Sequence, residues 1–207
     1  MSHLQACSRA LPVLFLDLDD VLCLNDSYGG FAAIEALNGR HHNPAAVFRK
    51  VFAARPSQVL SRTHESMGGE LRYVISSTWR ESFRREQMYE LFRRAGLEFV
   101  ANALHEGERW RTTVKLRRLR RVDEIAAWLD RFHQGEPFAI VDDVLSGASL
   151  LPALTLPDHP FVGRIVLCEE KVGLTDEHMQ TIVDALQRPI GVPDESEVRK
   201  IEGEGVR

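Results

Sequence analysis

Four short apolar runs, each ending abruptly in polar residues, constrain the fold of this chain more than any other feature. The runs cover residues 13–16, 73–75, 138–141 and 164–168, and the residues that follow them are Asp17, Ser76, Asp142 and Glu169. A short, continuous apolar run is typical of a strand that is buried on both faces of a parallel sheet. Because an ionised carboxylate is costly beside such strands, acids at their ends are normally satisfied by a cation, a hydrogen-bond network or a ligand.

Helical patterns alternate with these runs and complete the predicted fold. They cover residues 80–95, 122–132 and 175–186. Alternation of strand and helix predicts an α/β protein with a doubly wound, mostly parallel sheet. In such a sheet, ligands collect outside the carboxyl ends of the strands, which is where all four runs have their polar residues.

The stretch 26–70 separates two predicted strands by more than one crossover helix requires. We therefore predict a small helical insertion after the first strand, with helices at 45–54 and 57–67. Two interpretations remain open, a cap near the site and a surface excursion that only covers the sheet. Residues 1–187 are predicted to form a single catalytic domain, and residues 188–207, rich in charge, a flexible tail.

Composition narrows the functional classes. At 207 residues with a net charge of −4, the chain fits one domain that has no wholesale attraction to nucleic acid. Its three cysteines show no CxxC or metal spacing, so a reducing cytoplasm is the default location. Apolar stretches fall far short of the roughly 20 residues that span a bilayer, so we expect no membrane segment.

The acidic residues indicate a specific chemistry. In a strand, residues i and i+2 point to the same side, so Asp17 and Asp19 are expected to address one site. Asp142 and Asp143 follow another strand, and the two pairs together suggest one shared cation. Phosphoryl transfer requires a nucleophile, a proton donor and neutralisation of charge on the phosphoryl oxygens, and Mg²⁺ held by carboxylates supplies the last of these.

The order of these residues resembles the motifs of the haloacid dehalogenase superfamily. The acidic run 17–20 follows one strand, Ser76 a second, a basic residue precedes a helix, and Asp142-Asp143 follows a later strand. Further runs at 75–80, 121–125 and 173–175 are similar to the HAD domain of "Swiss Army Knife" RNA repair proteins. The resemblance spans about residues 11–186 and implies an HAD-like fold.

The resemblance also implies roles for the acids. Asp17 would be the nucleophile that forms an aspartyl-phosphate, and Asp19 the general acid that later activates water. Mg²⁺ would be held by the Asp17 carboxylate, the Asp19 backbone carbonyl and Asp142 or Asp143. Because superfamily members that displace halide usually lack the second acid, Asp19 favours a phosphatase or phosphotransferase.

The remaining motif positions leave alternatives open. Ser76 would donate a hydrogen bond to the phosphoryl group, with Ser77 as the alternative. The third motif usually has a lysine, and here Arg121 matches it best, with Lys115 as the second candidate. Arg80 is a further candidate for substrate contact, whereas the neighbouring tryptophan is explained at least as well by packing.

The sequence leaves the substrate and partners open. The basic residues from Arg109 to Arg121 could form a track for a polynucleotide, with Trp110 available for base stacking, or a solvated face. The expected substrate is either a small phosphomonoester or a polynucleotide end. We predict a phosphohydrolase, with a phosphotransferase or a catalytically idle RNA- or phosphate-binding module as alternatives.

Overall fold

The structure, a computed structural model, describes residues 10–112 and 120–190. Its strands are β1 (Val13–Leu16), β2 (Arg72–Ile75), β3 (Phe138–Asp143) and β4 (Ile165–Cys168). Its helices are α1 (Gly30–Leu37), α2 (Pro44–Lys50), α3 (Ala54–Ser66), α4 (Arg85–Arg94), α5 (Glu98–Ala103), α6 (Arg121–Phe132), α7 (Leu151–Thr155) and α8 (Asp176–Gln187). Short 3₁₀ turns lie at Thr78–Glu81, Gly107–Trp110 and Ala148–Leu150.

The four strands form one parallel sheet in the order β2-β1-β3-β4. Their side chains alternate between two cores. Leu14 and Leu16 pack with α3, α4 and α8 on one face, whereas Val13 and Phe15 pack with Ile125 and Trp128 of α6 on the other. Burial on both faces explains why β1 is apolar throughout, and the doubly wound α/β prediction is confirmed.

The parallel register brings the carboxyl ends of the central strands together. Leu16 pairs with Ile75 on β2 and with Val141 on β3, so the residues that follow these positions share one edge of the sheet. Asp17 continues the β1 backbone and its amide donates to the Val141 carbonyl at 2.9 Å. The acids Asp142 and Asp143 belong to β3 itself.

The insertion after β1 contains helices α1, α2 and α3. Their buried residues include Ala33, Val47 and Leu60, which belong to the same core cluster as the sheet residues Leu14 and Ile75. The division of the chain into one domain with a cap stays a prediction. Most of the expected tail, residues 191–207, lies outside the described residues.

Two helical predictions differ in detail from the structure. The helix expected at 80–95 is divided into the 3₁₀ turn Thr78–Glu81 and α4, which begins after Arg84. The adjacent glycines Gly29 and Gly30 are a typical turn signal in the sequence, but α1 begins at Gly30. None of the described helices has the length and apolar character needed to cross a membrane.

Candidate active site

Three buried carboxylates form the centre of the site. Asp17 follows β1, Asp142 and Asp143 end β3, and one oxygen of each lies within 4.8 Å of the others. Their exposed fractions are 2%, 0% and 3%, respectively. Three carboxylates this close in a buried place require a counter-charge, because like charges repel most strongly away from water.

Two oxygens of this cluster accept no hydrogen bond within the part of the chain that the structure describes. They are Oδ2 of Asp17 and Oδ2 of Asp142, both fully buried. Both oxygens of Asp143, in contrast, accept hydrogen bonds from the following loop, from the amides of Leu145 (2.7 Å) and Ser146 (3.0 Å) and from the Ser146 hydroxyl. Buried carboxylate oxygens without donors fit a hard divalent cation, so the cluster is placed to hold a metal ion.

Arg121, the first residue of α6, is the cation within this cluster. Its Nη2 donates to Asp17 Oδ1 at 2.9 Å, and its Nη1 donates to Glu124 Oε2 at 3.2 Å. Its Nε lies 2.6 Å from Asp142 Oδ2, a close charge pair whose N–H is not aligned for a hydrogen bond. One guanidinium group therefore faces three carboxylates.

A second buried ion pair, between Arg80 and Glu124, lies next to Arg121. Glu124 follows Arg121 by one helical turn and also accepts from Arg80 Nη2 at 2.6 Å. Arg80 Nη1 in turn donates to the carbonyls of Ser76 and Ser77, at 2.8 and 2.7 Å. The Arg80 guanidinium group thus contacts Ser76, Ser77 and Glu124, and Arg80 is only 1% exposed. Arg80 therefore lies in the protein interior next to the site.

The charges of this buried network do not balance. Asp17, Asp142, Asp143 and Glu124 carry four negative charges, whereas Arg80 and Arg121 carry two positive charges. The excess of two negative charges matches one divalent cation. The excess negative charge and the two carboxylate oxygens that accept no hydrogen bond from the described residues therefore both fit a bound metal ion.

Without a cation, the cluster compensates by binding protons. Burial, followed by the charge of Asp142, raises the pKa of Asp17 well above its ordinary value, although Arg121 opposes the change. Burial also raises the pKa of Asp142 to about 6, again against the effect of Arg121. Proton binding and metal binding should therefore compete at these two carboxylates.

The two serines after β2 differ in their hydrogen bonds. Ser76 is fully buried, and among residues 10–112 and 120–190 its hydroxyl has no hydrogen-bond partner. The Ser77 hydroxyl accepts from the Trp79 amide at 3.4 Å and caps the 3₁₀ turn. Ser76 is therefore the serine with a hydroxyl free to donate at this edge of the sheet.

Asp19 does not join the cluster of three carboxylates. Beyond Leu16 the chain leaves the strand, and the Leu18 carbonyl accepts from the amides of Leu22 and Cys23. The Asp19 carboxylate is instead held by two side chains, with Trp79 Nε1 donating at 2.8 Å and Asn25 Nδ2 at 3.1 Å. That Asp17 and Asp19 address one site stays a prediction, because the two-residue period applies only within a strand.

Two glycines make room for this arrangement. A β-carbon at Gly30 would lie 2.8 Å from Cε2 of Trp79, and one at Gly29 would collide with Oδ1 of Asn25. The Trp79 ring is further fixed by stacking against Phe83 at 5.6 Å. Gly29 and Gly30 thus permit the two donors of Asp19 to approach.

Three residues of the site had no distinctive signal in the sequence. Glu124 is detectable only as an acid one turn after Arg121 on a predicted helix. Trp79 is explained equally well as a residue that packs in the core. Asn25 lies in a loop, where a turn role explains it as well. Their contacts depend on how distant segments meet, which neither spacing nor periodicity reveals.

The basic stretch is largely engaged in internal contacts where it is described. Arg109 lies over the Phe132 ring at 5.6 Å, Arg111 donates to the Arg80 carbonyl at 2.6 Å, and Arg120 pairs with Asp123 at 2.9 Å. Trp110 is only 4% exposed, so it is not presented for base stacking. Lys115 lies outside the described residues.

A comparison with known families supports the identity of the fold. The family described as the HAD domain in Swiss Army Knife RNA repair proteins matches residues 13–179. This match covers every residue placed in the site above. No curated protein and no solved structure shows significant similarity to the chain.

Proposed function

The chain belongs to the family of HAD domains in Swiss Army Knife RNA repair proteins, and we propose that it is a magnesium-dependent phosphohydrolase that acts on a phosphomonoester through Asp17. The observation that carries this proposal is the group of three buried carboxylates, in which two oxygens accept no hydrogen bond from the described residues. Mg²⁺ is the cation proposed, because it prefers oxygen ligands and commonly serves phosphate substrates. When bound, it would supply neutralisation of the charge on the phosphoryl oxygens.

The residues suggest two chemical steps. In the first, a carboxylate oxygen of Asp17 forms a bond to phosphorus while the bond to the leaving oxygen breaks, and Asp19 gives that oxygen its proton. In the second, Asp19 takes a proton from water, which attacks phosphorus and releases phosphate and the Asp17 carboxylate. In this proposal, Ser76 and Arg121 bind phosphoryl oxygens, which is supported by the hydroxyl of Ser76, without a hydrogen-bond partner among the described residues, and by the contact of Arg121 with Asp17.

The alternatives share parts of this site. A phosphotransferase would use the same first step but pass the phosphoryl group to an acceptor other than water, and a binding module would hold phosphate without turnover. An HAD domain in an RNA repair family makes a polynucleotide end one candidate substrate. We also propose a cytoplasmic location, supported by the unpaired, buried thiols of Cys23 and Cys168.

The experiment that tests the proposal measures phosphate release from a substrate panel with Mg²⁺ or with a chelator. The panel contains small phosphomonoesters and oligonucleotides phosphorylated at the 3′ or 5′ end. Phosphate release only with Mg²⁺ supports the hydrolase. Transfer to an added alcohol without free phosphate would indicate the phosphotransferase, and binding of phosphate without turnover would indicate the binding module.

Mg²⁺ binding should release protons near pH 6. The raised folded-state pKa of Asp142, about 6, means that the metal-free protein gains stability as the pH falls towards 4 and loses it as the pH rises through 6. Mg²⁺ should therefore bind more tightly as the pH rises from about 5 to 7. Titration calorimetry at pH 6 in buffers of different ionisation enthalpy measures the protons released.

Asp142→Asn should weaken Mg²⁺ binding and reduce the proton release, because one of the two carboxylates with a raised pKa is gone. Asp158→Asn, at an exposed position, serves as the control. A wild-type affinity that stays constant between pH 5 and pH 7 would contradict the coupling.

Trp79→Phe should lower kcat about tenfold with little change in KM, because it removes the indole N–H that holds Asp19. The effect should be largest for substrates with poor alcohol leaving groups and small for 4-nitrophenyl phosphate, whose leaving group needs little protonation. Steady-state kinetics across a series of leaving groups checks this.

Trp128→Phe is the matched control for this prediction. Its buried indole also loses a hydrogen bond, to the Arg109 carbonyl at 3.0 Å, but it lies in the other core. It should lower stability without changing how kcat depends on the leaving group. An equal loss for all leaving groups in Trp79→Phe would assign Trp79 a merely structural role.

A further inference from the structure

An open groove is lined by Asp19 and by Trp79, one of the two donors that hold the Asp19 carboxylate. The groove has a volume of about 390 Å³ and is lined by Asp19, Phe31, Thr78, Trp79 and Glu81, among others. This volume falls within the range of roughly 300–1,000 Å³ that is usual for small-molecule sites. A second cavity, of about 250 Å³ beside Glu70 and Gln187, contains none of the site residues.

The position of Asp19 determines what this groove would hold. A general acid must lie within hydrogen-bond reach of the oxygen that it protonates, which is the oxygen of the leaving group. The phosphoryl group itself would be bound at Asp17, with its leaving oxygen within reach of Asp19. The leaving group must therefore extend from Asp19, and the groove is the space that Asp19 lines.

The lining of the groove is acidic and partly aromatic. It carries the carboxylates of Asp19 and Glu81, and no lysine, arginine or histidine contributes to it among the described residues. Phe31 lines the groove with 80% of its surface exposed, so its ring is open to an occupant. The acidic lining disfavours a negatively charged occupant. The exposed Phe31 ring favours an occupant with a flat ring on which it can stack.

The nearest arginines described in the basic stretch do not compensate for this charge. Arg111 donates to the Arg80 carbonyl, and Arg121 is buried with Asp17 and Glu124. A polynucleotide running through the groove would place its next phosphate near Glu81 without a cation in the lining. The observations therefore favour a small leaving group over a polynucleotide.

From these observations we infer that the groove is the leaving-group site and selects an uncharged alcohol that carries an aromatic or heterocyclic ring, such as a nucleoside without further phosphates. The inference rests on the proposed phosphohydrolase function and specifies its substrate class. Phe31 would stack on the ring, and Glu81 would repel a leaving group with a negative charge.

Three substrates with graded leaving groups test this inference. They are methyl phosphate, phenyl phosphate and 4-carboxyphenyl phosphate, assayed for kcat/KM at low and high ionic strength. The wild-type protein should prefer phenyl over 4-carboxyphenyl phosphate by about two- to fivefold at low salt, the size expected for an exposed charge. The preference should shrink at high salt, because salt screens exposed charges.

Glu81→Gln should remove this preference, whereas Glu70→Gln, an equal charge change at the other end of the sheet, should leave it intact. Phe31→Ala should lower kcat/KM for phenyl phosphate about fivefold or more relative to methyl phosphate, as expected for a lost stacking contact. Leu154→Ala, at another exposed apolar position, should leave the ratio of the two kcat/KM values unchanged.

The outcomes separate failure of the inference from failure of the function. An unchanged preference in Glu81→Gln, or faster turnover of a phosphorylated oligonucleotide than of phenyl phosphate, would overturn the leaving-group assignment alone. Absence of turnover by the wild-type protein of all three substrates and of the phosphorylated oligonucleotides would overturn the phosphohydrolase proposal and the inference with it.

Discussion

Replacing Asp17 with asparagine is expected to abolish phosphate release, with a loss of about 10⁴-fold or more in kcat, the scale seen when a nucleophile is removed. An amide oxygen at this position cannot form the aspartyl-phosphate. The same change removes one of the three carboxylates placed to hold the metal. Phosphate release with Mg²⁺ and trapping of a covalent phosphoenzyme by acid quench both measure the effect.

The stability of Asp17→Asn should change in the opposite direction from its activity. Burial raises the pKa of Asp17, so the charged form costs folding free energy at neutral pH in the absence of a cation. We therefore expect the variant to be as stable as the wild-type protein, or more stable, in a chelator. It should gain less from added Mg²⁺, as measured by thermal unfolding.

Asp158→Asn, which alters an exposed carboxylate, is the control for both measurements. Magnesium-dependent turnover that survives Asp17→Asn unchanged would defeat the covalent mechanism. Loss of turnover together with general unfolding would instead mean that the residue is needed for the fold.

The sequence predicts the part of the site that depends on strands. Leu14 and Phe15 face different cores, so β1 must be apolar throughout, and this pattern is visible without a structure. Parallel strands then place their carboxyl ends at one edge, which brings Asp17 and Asp142 together. Each step follows from period and order along the chain.

The sequence does not predict where side chains point once the strand ends. Asp19 lies outside the group of three carboxylates, and the chain curls after Leu18, whose carbonyl accepts amides of the following residues. Its partner Trp79 lies on another segment, and the pairing depends on the absence of a side chain at Gly30. Contacts of this kind are set by tertiary packing, which local patterns do not encode.

Helix α1 is a similar case at the level of secondary structure. Two adjacent glycines usually favour a turn, because glycine loses more backbone entropy than other residues on entering a helix. Here Gly30 begins α1, and the burial of Ala33 and Ala36 in the core offsets that cost. Local propensity is overridden by packing.

Removing the charge of Arg121 is expected to cost more stability than any other single change in the site. Arg121→Met would leave Asp17, Asp142 and Glu124 without the guanidinium group that now faces all three. Breaking a buried ion pair from one side costs about 3–5 kcal/mol. Denaturant unfolding in a chelator at neutral pH should show this loss, and Mg²⁺ should restore part of it.

Arg121→Lys should fall between the wild-type protein and Arg121→Met. It keeps the positive charge, but an ammonium group is a compact point charge that cannot replace Nε, Nη1 and Nη2 of Arg121 at three separate carboxylates. We expect a smaller loss of stability and a drop in kcat of about 10²-fold, in the range of a single lost stabilising donor.

Comparison with Lys115→Met decides which cation serves the third motif. If Arg121 binds the phosphoryl oxygens, Lys115→Met should retain turnover and Arg121→Lys should not. The reverse result would assign the phosphate contact to Lys115 and leave Arg121 to hold the carboxylates. A buried arginine at the start of α6 would then contribute geometry, because its contact with Asp17 and Glu124 fixes the nucleophile against the helix.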